Sequence, residues 1–447
     1  MVVFLIKKDK ICKDTSRVIV VEVVLKSISS SADDISNISF SESRLHEAVG
    51  LAQAIDLQVV RSFVVAVSRP SPATLIRKGK IKEINTIIHD LDVGLIIIDQ
   101  SLTPVQQRNL EKIWNIKVID RIGLILEIFG RRALTKEGAL QVELAHLNYQ
   151  KGRLVRSWTH LERQRGGTGF LGGPGETQIE ADRRMLQQKI CYLEQQLEKV
   201  VRTRQLHRAK RKKVPYPIIA LVGYTNAGKS TLFNRITGSS VFVENMLFST
   251  LDPTLRRIIL PHGPVAFLAD TVGFISDLPT HLVAAFRATL EEVRQADVIL
   301  HVRDISNRNN AAQARDVYTI LSDLDIDVME DCGRILEVWN KVDCLEPHFR
   351  KEIFQEAASQ GAIPVSSITG DGFNVLASEI TRRLSGKTVT ENIVLSVNQL
   401  SFLPWIYQHA QVKRRNDMEN GSIHLNISIA HAELIGLEKL LSSHVVD

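Results

Sequence analysis

Eight consecutive residues, Gly223-Tyr224-Thr225-Asn226-Ala227-Gly228-Lys229-Ser230, fit the pattern GxxxxGK[ST]. They follow the apolar run 218–222 and open a helix-forming stretch at Ser230-Thr231-Leu232-Phe233. In that setting glycines let backbone N–H groups wrap phosphates, and the helix N-terminus adds partial positive charge. Lys229 is then placed for the β- and γ-phosphates, and the Ser230 hydroxyl for Mg²⁺. Asp270-Thr271-Val272-Gly273 follows the apolar run 265–269. There Asp270 can hold Mg²⁺ through water, and the Gly273 N–H can sense the γ-phosphate. Asn340-Lys341-Val342-Asp343 follows the run 335–339. The Asp343 carboxylate can accept two N–H donors from guanine that adenine cannot supply, while Asn340 braces the loop. Ser366-Ser367 follows 363–365, where backbone N–H groups can meet the guanine carbonyl. Each fragment alone arises easily by chance. Four in this order, each at the carboxyl end of a strand, match the rule for ligand sites in open α/β sheets. The chemistry they predict is Mg²⁺-dependent binding of GTP and its hydrolysis to GDP and phosphate.

A γ-phosphate switch needs a mobile Thr that reaches Mg²⁺ only in the triphosphate state. The segment Phe248-Ser249-Thr250-Leu251-Asp252-Pro253-Thr254 supplies it, with Thr250 expected and Thr254 the alternative. The expected metal set is Ser230, Thr250 and Asp270, and the expected catalytic set is Lys229, Thr250 and Gly273. In Ras-like GTPases a Gln follows DxxG and orients the attacking water. Here Phe274 and Ile275 stand there, and neither can hydrogen-bond a nucleophile. Asn226 has two open readings: it helps bind a K⁺ ion beside the phosphates, or it caps the loop through its own backbone.

These residues need a scaffold, and the pattern from 217 to 385 provides one. Strands at 217–222, 255–260, 264–269, 297–302, 334–339 and 362–365 alternate with helices from 229 and at 280–295, 310–323, 348–360 and 373–385. That is the size and order of one doubly wound domain. An earlier α/β alternation has β-branched runs at 18–25, 59–67, 95–99 and 117–120, with helices near 43–56, 78–91 and 104–114. Thr103 and Pro104 mark the start of the last of these helices. The Ser/Asp/Asn-rich stretch 26–43 reads as a loop. The fold class is α/β: a P-loop GTPase domain preceded by an α/β domain and a helical hairpin. The expected domains are 1–132, the hairpin 133–213, the nucleotide domain 214–388, and a small α/β appendage 389–447. In the appendage the alternating stretch 422–429 and a terminal helix from His431 stand out.

The hairpin follows from two heptad seams. Leu140, Leu144, Leu147, Lys151, Leu154, Trp158 and Leu161 form one, and Leu186, Ile190, Leu193, Leu197 and Val200 the other. Between them 166–175 reads GGTGFLGGPG, six glycines and a proline in ten positions. The match 167–172 to GxGxxG is not a dinucleotide site, because no strand precedes it. Lys151 interrupts the first seam. The second helix ends in seven cations within 202–213 and no acid: Arg202, Arg204, Arg208, Lys210, Arg211, Lys212 and Lys213. That density favours contact with a polyanion over a merely solvated face.

Composition sets the class. Of the 447 residues 44% are hydrophobic and 24% charged, the balance of an ordinary soluble protein, with net charge +6. Cys12, Cys191, Cys332 and Cys344 have no ligand-like spacing, which argues against a zinc site or a disulfide framework. The apolar run at 1–6 is too short for a signal peptide, and no stretch approaches a membrane span. Cytoplasmic location and no stable membrane insertion are expected.

GYTNAGKSTLFN, FSTLDPT, DTVGFI and NKVD, preceded by GGPGETQIEADRR at 172–184, resemble the HflX family of GTPases over about residues 40–385. The resemblance implies binding to the large ribosomal subunit and its RNA, and separation of stalled or idle ribosomes into subunits. It implies that the tip loop, here Gly166–Gly175, reaches toward the peptidyl-transferase centre. It also implies a translational role without DNA, and we expect a monomer. A GTP-regulated protein acting on another RNA or a membrane-bound partner, and an RNA-remodelling activity using ATP, remain as alternatives.

Overall fold

The structure is a computed structural model that describes residues 16–25, 34–133, 135–157, 174–211, 216–238, 248, 254–260, 265–276, 292–326, 333–385, 388–418, 421–430, 434, 437 and 441. The chain divides into two compact units.

The first unit is built on a parallel sheet of order β2-β1-β3-β4, with β1 Arg17–Leu25, β2 Gln58–Val67, β3 Leu95–Ile98 and β4 Lys117–Asp120. Val18, Ile19, Val20 and Val21 are all fully buried. A parallel strand covered on both faces requires such a continuous apolar run. α1 Asp34–Gln53, α2 Lys78–Asp90, α3 Pro104–Trp114 and α4 Arg121–Arg132 connect and follow the strands. α3 starts as expected: Thr103 and Gln106 form a reciprocal capping box, with Pro104 in the first turn. Two readings need correction. Residues 34–43 are helical rather than loop, and within them Ser41 is buried. Ser and Asp are as common at helix starts as in turns, so composition alone misjudged the boundary. α4, which the sequence reading leaves unassigned, buries Leu124, Ile125, Leu126, Ile128 and Phe129.

α5 Lys136–Ser157 and α6 Pro174–Arg211 pair through the expected seam: Leu147, Ile190 and Leu193 are buried, with Leu140, Leu144 and Leu186 packed against them. Lys151 resolves its place in the seam by donating to Gln187 at 2.5 Å. Of the expected tip 166–175, residues 174–175 belong to α6 and the rest lie outside the described residues, as do Trp158 and Leu161. Arg202–Arg211 of the basic run continue α6. Asp120, at the carboxyl end of β4, fastens α5 to the sheet. Its buried carboxylate accepts from the Tyr149 hydroxyl at 2.5 Å, the Arg153 guanidinium at 2.6 Å and the Gly123 amide at 2.9 Å. Burial and the adjacent Asp120 charge push the Tyr149 phenol well above its usual range.

The second unit carries a six-stranded sheet of order β10-β9-β8-β5-β7-β6. Its strands are β5 Ile218–Gly223, β6 Thr254–Ile259, β7 Val265–Asp270, β8 Val298–Asp304, β9 Ile335–Asn340 and β10 Ile363–Pro364. All neighbours pair parallel except β6 with β7. α7 Lys229–Thr237, α8 Asn310–Asp323, α9 Pro347–Gln360 and α10 Phe373–Ser385 accompany it. The expected helix 280–295 lies outside the described residues up to 291. A separate antiparallel sheet, β11-β13-β12, follows, with β11 Thr388–Leu395, α11 Leu403–His409, β12 Ala410–Asp417 and β13 Ile423–Ala430. The sequence reading found only the last strand. Of the terminal helix expected from His431, Leu434, Leu437 and Leu441 are described, and all three pack into this sheet's core.

Candidate guanine nucleotide site

The four motifs converge at the carboxyl ends of β5, β7, β9 and β10 in the second unit. Gly223 ends β5, and the loop to α7 holds Asn226 and Gly228 in the left-handed region, with φ of 61° and 90°. Asn tolerates that conformation better than most residues. At Gly228 a Cβ would come within 2.2 Å of Asn340 Nδ2, so only glycine fits there. Lys229 is buried and donates to the carbonyls of Gly223 at 3.1 Å and Tyr224 at 2.8 Å. Burial pushes its ammonium down to about 8, and Asp270 opposes that shift. A buried cation with mostly backbone partners suits an anionic ligand.

Ser230 Oγ donates to Asp270 Oδ2 at 2.8 Å, so the two described members of the expected metal set are together. Among the described residues no group of three or more His, Cys, Asp or Glu could hold a metal ion. A Ser–Asp pair of this kind suits Mg²⁺, which uses one or two protein oxygens plus phosphate and water. Thr250, the third expected ligand, lies outside the described residues, with Ser249, Leu251, Asp252 and Pro253. Phe248 is buried in the first unit, edge-on to Phe129 with ring centroids 4.9 Å apart.

Gly273 lies against the phosphate loop: a Cβ there would be 2.9 Å from Thr225 Cα and 3.1 Å from Lys229 Nζ. Beyond it, Phe274 accepts from the Thr225 amide at 2.7 Å and donates to the Gly223 carbonyl at 3.0 Å. Its ring is buried. The Tyr224 hydroxyl bonds Ser276 Oγ at 2.9 Å and accepts the Ser276 amide at 3.0 Å. Thr271 turns its hydroxyl to the Leu221 carbonyl, and Val272 is buried, so these two support the loop from the sheet side.

Asn340 joins two loops. Its Nδ2 donates to Ala227 O at 2.8 Å, and its Oδ1 accepts from Ser367 N at 3.0 Å and Ser367 Oγ at 2.9 Å. Lys341, at φ 65°, pairs with Asp304 at 2.8 Å, and Val342 is fully buried. Asp343 stays exposed. The Ser366 hydroxyl donates to its Oδ1 at 2.6 Å and holds the carboxyl below its usual range. The amides of Ser366 and Ser367 are engaged internally, by Asp371 O and Asn340 Oδ1, each at 3.0 Å. The roles of Asp304 and Ser276 were not legible from motifs, since a single Asp or Ser carries no spacing signal.

A family model described as "50S ribosome-binding GTPase" matches residues 218–341. Models described as "GTP-binding GTPase N-terminal" and "GTP-binding GTPase Middle Region" match 42–130 and 132–211, and "HflX C-terminal domain" matches 352–445. The GTPase HflX of Magnetococcus marinus is 47% identical over 82% of this chain and 84% of its own length. The chain belongs to the HflX family of GTPases. It therefore binds and hydrolyses GTP. The GTPase HflX of Escherichia coli is 41% identical over 86% of the chain and 89% of its own length. A GTP-binding protein from Sulfolobus solfataricus, solved with GDP, is 22% identical with a TM-score of 0.44, covering 82% of this chain and 98% of that one. Among the described residues no helix is long and apolar enough to cross a membrane.

Proposed function

We propose that this HflX GTPase binds the large ribosomal subunit and uses its hairpin to separate stalled or idle ribosomes into subunits. The observation that carries the reading is the α5–α6 pair. At 1.5 Å per residue, the 22 residues of α5 span about 33 Å. The pair is held stiffly by its leucine seam and by the Asp120 anchor. α6 exposes Tyr192 and Met185 along its length and runs into the 202–213 cations. An exposed tyrosine and a basic end suit RNA. The family description of residues 218–341 as a ribosome-binding GTPase supports the same partner.

At the nucleotide, Lys229 receives the β- and γ-phosphates, and Ser230, Thr250 and, through water, Asp270 would hold Mg²⁺. When bound, Mg²⁺ neutralises charge developing on the transferring phosphoryl group. The Gly273 N–H reads the γ-phosphate, and Asp343 reads the guanine N–H donors. Phe274 cannot orient water, and its backbone is tied to Gly223 and Thr225. Free protein accordingly turns over slowly, and the large subunit supplies or orders what is missing.

The test is co-sedimentation with purified large subunits, with GDP against a non-hydrolysable GTP analogue, beside a splitting assay. Stronger binding in the triphosphate state, and loss of splitting but not of GTP binding when 166–175 is cut to a short turn, support the proposal. Full splitting by the shortened protein removes the role of the tip. Binding to unrelated RNA with equal affinity favours a general RNA-binding protein instead.

A further inference from the structure

We propose that Arg235 is a specificity-determining residue for guanine, acting from behind the base-binding loop. It stands on α7, the helix that follows the phosphate loop. Its Nη1 donates to Ile368 O at 2.5 Å and reaches Ser367 O at 3.5 Å, and its Nη2 donates to Thr369 O at 2.9 Å. One guanidinium thus gathers three successive carbonyls of the loop. Phe373 lies under it, with the guanidinium carbon 5.5 Å from the ring centroid.

The peptide plane makes this consequential. A peptide's C=O and N–H point in opposite directions, so pulling the Ser367 carbonyl toward Arg235 turns the Ile368 N–H the other way. The neighbouring amides are spent within the site: Thr369 on Ser366 Oγ at 3.0 Å, Gly370 on Ser366 O at 2.9 Å and Asp371 on Thr369 Oγ1 at 3.4 Å. With Ser366 and Ser367 also engaged, the Ile368 N–H is the amide within 366–371 that, among the described residues, has no acceptor. A donor held there donates to the guanine carbonyl oxygen and rejects the amino group that adenine carries at the same place. Arg235 sets its direction, and it ties the loop to the same helix whose N-terminus faces the phosphates. Gly370, at φ 95°, completes the fit: a Cβ there would lie 2.2 Å from Arg235 Nη2.

The inference rests on the reading of 340–343 and 366–369 as the base-binding loops. The experiment measures affinities of the full chain for GDP, IDP and ADP by competition, in wild type and in Arg235→Met, Arg235→Lys and Gly370→Ala. Losing charge-assisted hydrogen bonds from a partly solvated guanidinium should weaken GDP and IDP about tenfold in Arg235→Met. ADP, which never used the donor, should hardly change, so the GDP/ADP preference falls while the GDP/IDP ratio stays. Arg235→Lys should recover part of the loss. Gly370→Ala should reproduce the pattern without touching the arginine. Equal weakening of all three nucleotides means a merely structural role and overturns the proposal, as does an unchanged GDP/ADP ratio in Arg235→Met. Wild type that fails to prefer GDP over ADP overturns the loop assignment itself, a different outcome from either.

Discussion

The Asn340 carboxamide nitrogen lies 2.8 Å from the carbonyl oxygen of Ala227, 113 residues earlier in the chain. The same side chain accepts both the amide and the hydroxyl of Ser367. One buried amide therefore fixes the phosphate loop and the base loop against each other. Asn340→Ala would strand one acceptor and two donors. Each unsatisfied buried group costs about 1–3 kcal/mol. GDP affinity should drop by roughly 100-fold or more, with a lower thermal midpoint even without nucleotide. Titration calorimetry and thermal melting check this, and an affinity within threefold of wild type would refute the bracing role.

Asp343→Asn should reverse base preference. The carboxylate is held charged by the Ser366 hydroxyl, and its pKa is displaced downward, so it accepts over the whole neutral range. An amide there offers a donor where guanine also offers donors. Sites built on paired polar groups discriminate strongly, by about 10⁴-fold in favourable cases, because the wrong partner leaves them unpaired. GDP should weaken and xanthosine diphosphate should gain. If wild type binds ATP as tightly as GTP, the assignment of this carboxylate fails.

Lys229 predicts a pH dependence whose sign can be worked out. In free protein its ammonium titrates near 8, lowered by burial from its usual value of 10.5. Phosphate favours the charged form, so binding above pH 8 must take up a proton. GDP affinity should be flat below pH 8 and fall above it, by up to about tenfold per pH unit. For folding, the unfolded chain keeps the proton between pH 8 and 10.5 while the native state releases it, so this group adds stability as pH rises across that window. Binding measured at pH 7, 8, 9 and 9.5 decides it. Affinity independent of pH would show that the lysine keeps an ordinary pKa.

The nucleotide motifs were legible because their information is local: each is a short string whose spacing alone dictates a backbone shape. The contacts that make them one site were not. Arg235 meets Ser367 O across 132 residues, and nothing near Arg235 marks it. Strands failed for a related reason. Residues Lys413–Asp417 of β12 are charged or polar and all exposed, and they become a strand only through pairing with β13. Heptad seams were readable over α5 and α6 because a long, regular pattern survives one flaw such as Lys151.

Asp120→Ala should loosen the hairpin without touching the nucleotide loops. The substitution leaves the Arg153 guanidinium and the Tyr149 hydroxyl without their acceptor. Breaking a buried pair by removing one partner costs about 3 kcal/mol, somewhat less here because Arg153 keeps some access to water. Hydrogen exchange in α5 should rise, subunit splitting should weaken, and GDP affinity should stay near wild type. Unchanged exchange in 136–157 would mean that the leucine seam alone orients the hairpin.

Phe274 is buried with its backbone bound to the phosphate loop, and Ile275 is apolar, so neither side chain can place the attacking water. Another group must stabilise charge in the transition state. Asn226 is exposed in the phosphate loop, with φ at 61°, and its carboxamide oxygen is the atom that would meet a monovalent cation. A K⁺ ion there would act on the phosphates as an arginine finger does. Hydrolysis should therefore run faster in KCl than in NaCl at equal ionic strength, and Asn226→Ala should erase the difference. Alanine is strained at this φ, so Asn226→Gly, which is not, serves as the control for loop shape. If both salts give one rate in wild type, the potassium reading fails, Asn226 is left as a loop residue, and the large subunit stands as the sole activator. Fast turnover in NaCl without ribosomes would overturn the larger claim, and the water-positioning group would then have to be sought in 244–254.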